Sequence, residues 1–279
     1  MSTATPTRIG TPRHYLMCRP TYFNVEYTIN PWMDPDVPTD TGKAVAEWES
    51  LRAVYRELGH RVDLIDPVPG LPDMVYAANG ATVLDDRVLV ANFRHEQRSG
   101  ESTAYKEWFQ QQPDGYQVTA ASYTNEGEGD YLVAGRRILA GTGFRTEPAA
   151  HAEAQDVFGT PVVTLTLIDP RYYHLDTALA VLDDETVMYN PAAFSPGSLT
   201  VLKTLYPDAI LATDEEAGVF GLNAVSDGRH VVLSAAAPSL AAKLSARGFT
   251  PITVALPELL KGGGSIKCCT LELRHAPSR

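Results

Sequence analysis

The chain has 279 residues, 44% of them hydrophobic and 20% charged, which is enough to bury a sizeable core in one or two domains. A formal net charge of −11 argues against a nucleic-acid footprint, and no apolar run approaches the ~20 residues of a membrane span. The opening "MSTATPTRIGTPRH" lacks the apolar centre of a secretory signal, so a cytoplasmic protein with neither nucleic-acid nor membrane partners is expected.

Along the chain, "RHYLMCRP" reads as a first short strand. The segment "GKAVAEWESLRAVYRELG" (42–59) then places Val45, Trp48, Leu51, Tyr55 and Leu58 at helical spacing with Gly59 as a cap. Four stretches follow that each read as strand, tight polar turn, strand: 81–93, 130–144, 178–190 and 223–235. Their turns, at Asp86, Arg136, Asp184 and Asp227, recur at about 50, 48 and 43 residues, within the range of repeat architectures. Each hairpin is followed by a helix-like segment ("ESTAYKEWFQQQ", "PAAHAEAQDVFG", "PGSLTVLKTLY", "PSLAAKLSARG") and another short apolar run. The pattern predicts an α/β chain of five ββαβ units. The first hairpin is completed by the N-terminal strand and the C-terminal "KCCTLELR", and the units close around a pseudo-five-fold axis as one domain. An ordinary α/β sheet is the alternative. Residues 1–11 and the final "HAPSR" read as flexible ends.

Hairpin geometry sets the start of the first strand beside the end of the second, so polar residues at these ends converge on one rim. Asn79, Arg94 and Arg98 flank the first hairpin. Glu126, Glu128, Asp130 and Arg145 flank the second, His174 and Asp176 precede the third, and Asn223 opens the fourth. Cys268 and Cys269 begin the last strand, behind the triple glycine of "LLKGGGSIKCCTLEL". Strand alternation predicts that the two cysteines face opposite ways, so at most one serves the rim. Three cysteines make no disulfide framework, and zinc is not expected without a second Cys or His pair at ligand spacing. Taken singly, each residue has a packing or surface explanation: a buried small Cys, a solvated "EGEGD" turn, an Arg145 paired with a surface carboxylate. Their recurrence at matching places in consecutive units favours a shared site.

"NEGEGDYL", "GFRT", "HLDT" and "GGGSIKCCTLEL", in that order and with "YTINPWM" near the start, resemble the guanidino-group-modifying enzymes of the pentein (α/β-propeller) superfamily. These include dimethylarginine dimethylaminohydrolase, arginine deiminase, arginine dihydrolase and the amidinotransferases. The resemblance spans about residues 13–274 and implies a five-bladed α/β-propeller. It implies Cys268 as nucleophile, His174 as general acid/base and Glu126 as the carboxylate that grips the guanidinium, with Glu128 as a rival one step along. Asp176 corresponds to a second guanidinium-binding carboxylate and Arg145 to the arginine that holds the substrate's α-carboxylate, with Arg98 or Arg94 for similar work. Asn79, Asp130, Asn30 and Asn223 complete the expected substrate-binding set.

The implied reaction is hydrolysis of the guanidino carbon–nitrogen bond of arginine or an N-methylated arginine through a covalent Cys thiouronium. It requires no cofactor and no metal, and its only necessary partner is the small-molecule substrate, with a homo-oligomer left open. Two departures bear on the substrate: Asn79 stands where dimethylarginine hydrolases usually carry an acid, and Asp176 where they carry a lysine. Asn79 in "AAN", with Asn30 in "INPWM", resembles the arginine dihydrolase branch, which forms ornithine, ammonia and carbon dioxide, while Asp176 resembles deiminase-like and transferase-like members. An amidinotransferase and a non-catalytic arginine-binding protein are the further alternatives.

Overall fold

The computed structural model describes residues 8–113 and 115–276. Strand β1 (His14–Cys18) leads through helix α1 (Thr41–Glu57) to β2 (Arg61–Ile65). The next unit is β3 (Ala81–Leu84), β4 (Arg87–Val90), α2 (Glu96–Gln110) and β5 (Gln117–Ala120). It is followed by β6 (Tyr131–Ala134), β7 (Arg137–Thr142), α3 (Pro148–Phe158) and β8 (Val162–Thr166). The short helix α4 (Leu175–Ala178) then enters β9 (Leu179–Val181), β10 (Val187–Tyr189), α5 (Pro196–Leu205) and β11 (Ile210–Leu211). After α6 (Asp214–Gly218) come β12 (Val225–Ser226), β13 (His230–Ser234), α7 (Pro238–Ala246) and β14 (Thr250–Val254), then α8 (Pro257–Leu260) and β15 (Leu271–Glu272).

These strands form five three-stranded sheets ordered β15-β1-β2, β3-β4-β5, β6-β7-β8, β9-β10-β11 and β12-β13-β14. In every sheet the first pair is antiparallel and the second parallel. This is the five-unit ββαβ organisation expected from the repeats. The N- and C-terminal strands share one sheet, with Tyr15 opposite Glu272 and Leu16 opposite Leu271. The first-position strands touch in succession, β15 with β3, β6 with β9, and β9 with β12.

The sequence dictates which strands lie deepest. Middle strands are continuous apolar runs, such as Leu16-Met17-Cys18, Val88-Leu89-Val90 and Val231-Val232-Leu233, buried because a neighbouring strand flanks each side. The third strands are more exposed, as in β2, where Arg61 and Leu64 are exposed and only Ile65 is buried. Helix α1 starts where Asp40 accepts the Lys43 backbone N–H at 3.0 Å, a side-chain N-cap. It buries Ala44, Trp48, Leu51 and Tyr55, a stripe rotated slightly from the expected one because Val45 is only partly buried.

Two expectations are corrected. Only Leu271 and Glu272 of "KCCTLELR" are strand, and both cysteines lie in the preceding turn, where Cys269 N–H donates to Ser265 O at 3.0 Å. Strand alternation therefore does not decide which cysteine faces the rim. Of the ends, residues 1–7 and 277–279 lie outside the described residues. Within the described part, however, Arg8 pairs with Asp183 at 2.5 Å, and His275 contacts His14 and Asp86 at 2.9 Å each, so these positions are anchored.

Candidate active site

Cys268 is buried in the turn before β15, and its thiol donates to Asp176 Oδ2 at 3.2 Å. Asn223 lies against the same residue: its Oδ1 accepts the Cys268 backbone N–H at 3.1 Å and its Nδ2 approaches the sulfur at 3.1 Å. The turn comes this close because the glycines before it carry no side chains. A Cβ on Gly264 would collide with the Tyr76 ring, and Gly263, at φ +83°, would meet Asn30 Oδ1 at 2.5 Å. The triple glycine is thus a buried close approach rather than a hinge. Asn30 fastens it by donating to Gly262 O at 3.2 Å, and the Tyr173 hydroxyl donates to Gly263 O.

Asp176 and His174 stand at the start of α4, with His174 at the N-cap position. The His174 Nε2 meets Glu126 Oε2 at 2.8 Å, while its Nδ1 has no hydrogen-bond partner among the described residues. Burial alone would raise the Glu126 carboxyl, but Arg145 at 2.6 Å and His174 outweigh it and hold the group well below the usual carboxylate range. Because Glu126 is ionised, Nε2 carries the proton shared with it, and Nδ1 is the nitrogen left over, 3.2 Å from where a Cβ on Gly129 would stand. The Arg94 backbone N–H occupies the other Glu126 oxygen at 3.2 Å.

Asp176 is fully buried and its Oδ1 is unpartnered among the described residues. Burial pushes this carboxyl up to about 7, against the pull of the Lys267 ammonium. The Cys268 thiol is pushed up by burial and by Asp176. The thiol and a carboxyl with one free oxygen are thus in direct contact, and an imidazole with one free nitrogen stands two residues before that carboxyl at the start of α4. Burial disfavours the ionised forms of both thiol and carboxyl.

The remaining expected residues divide into contacts and supports. Arg145 bridges Glu126 and Ile29 O (2.8 Å), and lies over the Tyr173 ring at 4.8 Å, with donors to spare. Asn79 donates weakly to Glu126 O at 3.5 Å and accepts from Arg98 at 2.8 Å. Arg98 is itself consumed: Glu101 takes two bonds at 2.8 Å each and Asp73 O a third at 3.3 Å. Its expected substrate role is corrected to a buried support for Asn79. Arg94 reaches the site through its backbone only, because its side chain is exposed.

Asp130 is a buried fastener as well. Its oxygens accept Leu175 N–H at 3.0 Å and Thr146 N–H at 3.3 Å, tying α4 to the second hairpin, and burial raises it to about 6. The rival Glu128 faces away, paired with Lys267 at 2.6 Å and with Arg274. Gly127 separates the two glutamates at φ +54°, where a Cβ would come within 2.7 Å of the Ala78 and Ala81 carbonyl oxygens. Lys267 and Arg274 line a cavity of about 720 Å³.

Asp73 was not singled out by sequence. It is fully buried, accepts from Tyr27 OH at 2.9 Å, lies 3.9 Å from Arg98 Nε and keeps Oδ1 unpartnered among the described residues. Burial raises its carboxyl. The only local signal was an acid in the short turn before "YAAN", which is equally the signature of a cap.

A profile of the family described as N,N dimethylarginine dimethylhydrolase, eukaryotic, matches residues 20–275. The N(G),N(G)-dimethylarginine dimethylaminohydrolase of Mycobacterium tuberculosis is 54% identical over 95% of this chain and 90% of its own length. The chain belongs to the dimethylarginine dimethylaminohydrolase family. It is accordingly a hydrolase of non-peptide carbon–nitrogen bonds in the pentein superfamily. The bifunctional arginine dihydrolase/ornithine cyclodeaminase ArgZ of Synechocystis is 36% identical over 92% of this chain, which spans 37% of that protein. The crystal structure of the ArgZ N-terminal domain bound to substrate aligns with a TM-score of 0.90 at 35% identity, covering 94% of this chain and 98% of that one. A dimethylarginine dimethylaminohydrolase adduct with 4-chloro-2-hydroxymethylpyridine aligns at a TM-score of 0.77 and 19% identity, covering 94% of this chain and 100% of the other, a likeness of fold. Among the described residues no helix is long and apolar enough to cross a membrane.

Proposed function

We propose that the chain hydrolyses the guanidino carbon–nitrogen bond of N-methylated arginine, giving citrulline and the corresponding amine, with Cys268, His174 and Glu126 as its catalytic residues. The observation that carries this reading is the buried Cys268–Asp176 contact, with His174, two residues before Asp176, held at Nε2 by the ionised Glu126. A planar cation complements these groups: its N–H edge would satisfy Asp176 Oδ1 and its charge would favour both carboxylate and thiolate.

The proton path follows from the tautomer. The thiol proton passes to His174 Nδ1, the thiolate attacks the guanidinium carbon, and Nδ1–H protonates the departing amine as its bond to carbon breaks. The thiouronium left on Cys268 is attacked by water, whose proton returns to Nδ1. Collapse expels the thiolate and leaves the ureido product. Glu126 in this scheme orients and charges His174. Its oxygens are taken by Arg145, His174 and the Arg94 N–H, so Asp176 becomes the guanidinium carboxylate. Arg145 would take the substrate's α-carboxylate with its spare donors, and Asp73 Oδ1 offers an acceptor for a second cationic group.

Arginine dihydrolysis is the second reading. Asn79, an amide held by Arg98 against the Glu126 carbonyl, and Asp176, with an oxygen for an unmethylated nitrogen, favour it. The mycobacterial relative supports the first reading, the ArgZ likeness the second. We also read the five sheets as one catalytic domain closed around a pseudo-five-fold axis, supported by the successive contacts of β15 with β3, β6 with β9, and β9 with β12.

Incubation with arginine, monomethylarginine and asymmetric dimethylarginine, assaying citrulline, ornithine, ammonia and dimethylamine, separates these outcomes. Citrulline with dimethylamine supports the first reading and ornithine with ammonia the second. Product formed only in the presence of an amine acceptor would replace both with amidino transfer. Cys268→Ser is expected to abolish turnover, while Cys269→Ser largely spares it. Equal loss in both would overturn the assignment of the nucleophile.

A further inference from the structure

The Asn223 side chain is completely buried, and each of its polar atoms is committed to the nucleophile or its neighbour. Its Oδ1 accepts the Cys268 N–H at 3.1 Å, and its Nδ2 lies 3.1 Å from the sulfur and 3.2 Å from the Asp176 backbone oxygen. The orientation of the amide is fixed by chemistry: a backbone N–H faces one end, so that end must be oxygen, and the NH2 group must face the sulfur and the carbonyl. Its backbone is held too, since Lys267 N–H donates to Asn223 O at 3.4 Å. Asn223 N–H donates to Phe220 O at 3.1 Å, and Phe220 occupies the left-handed region at φ +57°. A non-glycine residue in that region is strained, and such strain persists where surrounding contacts over-determine it.

The sulfur thus has two neighbours of opposite preference. Asp176 accepts a proton and favours the thiol, whereas the Asn223 N–H is a donor and is strengthened when the sulfur is an anion. The Ser265 backbone, delivered by the glycine turn, also favours the anion. We propose that Asn223 is a positioning residue for the nucleophile: its amide aims the Cys268 sulfur and holds it as a thiolate when a cation takes over Asp176. The cation is the guanidinium of the function proposed above, and on that point alone the inference rests on that reading. Asn223 need not touch substrate, which separates it from the substrate-binding role expected from sequence.

The near-isosteric Asn223→Asp keeps an oxygen for the Cys268 N–H but removes the donor, and Asn223→Ser removes most of the contact. The test is the pH dependence of Cys268 alkylation by iodoacetamide, read on the Cys268 peptide by mass spectrometry, with circular dichroism to check folding. Loss of one donor to a charged sulfur should raise the alkylation midpoint by about one to two pH units and lower kcat about ten- to hundredfold, with KM nearly unchanged. An unchanged midpoint in a folded variant would overturn the proposal. In the unsubstituted protein, the Asn223 side-chain amide resonance should shift in step with Cys268 ionisation, and a resonance indifferent to it would also overturn the proposal. Alkylation needs no turnover, so a protein inactive on every guanidinium substrate would defeat the functional reading while leaving this test decisive.

Discussion

Glu126 and Glu128 are two residues apart, equally buried and chemically identical, yet they belong to different regions of the molecule. Glu126 faces the pocket and is held ionised by Arg145 with His174 as its second partner. Glu128 is buried between Lys267 and Arg274 and is lowered by those two cations against the cost of burial. On one side the carboxylate's partners leave His174 Nδ1 without a hydrogen-bond partner among the described residues. On the other the charges satisfy one another, with nothing left over. Burial and charge alone therefore do not mark an active-site carboxylate; unfinished hydrogen bonding around it does.

The largest expected effect tests this contrast directly. Glu126→Gln should cost about 10²–10³ in kcat, because His174 loses the anion that fixes its tautomer and charge, with the fold retained. Glu128→Gln should instead destabilise by about 3–5 kcal/mol, since the buried Lys267 loses its anion and Arg274 keeps only Glu272, while the pH profile of the folded fraction stays put. Denaturant melts and steady-state rates on both variants would show it, and a Glu128→Gln protein of normal stability and lost activity would erase the distinction.

A smaller effect sharpens it by pH. The buried Asp176 carboxyl keeps its proton to about 7 in the folded chain but loses it near 4 in the unfolded chain. The folded state therefore binds more protons across that interval, and stability falls as pH rises from about 4 to about 7. Activity runs the other way, with kcat/KM rising through a limb near 7 as the carboxylate forms. Asp176→Asn should abolish that limb and raise the melting temperature above pH 7 by a few degrees. A profile flat through this range in the unsubstituted enzyme would remove Asp176 from guanidinium binding. Smallest is Gly264→Ala, where the new methyl meets the Tyr76 ring. About 1–3 kcal/mol of stability should be lost, and Cys268 turnover should fall with it.

Much of the architecture was legible in sequence because it rests on local rules. The polar turns at Asp86, Arg136, Asp184 and Asp227, each between β-branched runs, specify hairpins whatever surrounds them. The 3-and-4 spacing around Trp48 and Leu51 likewise specifies α1. The pairing of the two chain ends followed from counting strands. The residues around the pocket were also legible as a set, since they sit at hairpin entries and exits. What failed were arguments that carried a regular element too far. The cysteines lie in a turn and not in a strand, because the chain from Gly262 to Thr270 is bent around Tyr76 and Asn30 before pairing resumes at Leu271.

The sequence by itself determined five ββαβ units and the chemical inventory of their rim, because turn chemistry and apolar periodicity act over a few residues. Only the tertiary structure decided which side chain is an instrument and which a brace. It turned Glu126 inward and Glu128 outward, committed Arg98 to Glu101 and Asn79, and revealed Asp73. Those outcomes depend on which hydrogen bonds each buried group finds across the molecule, at separations no local pattern records.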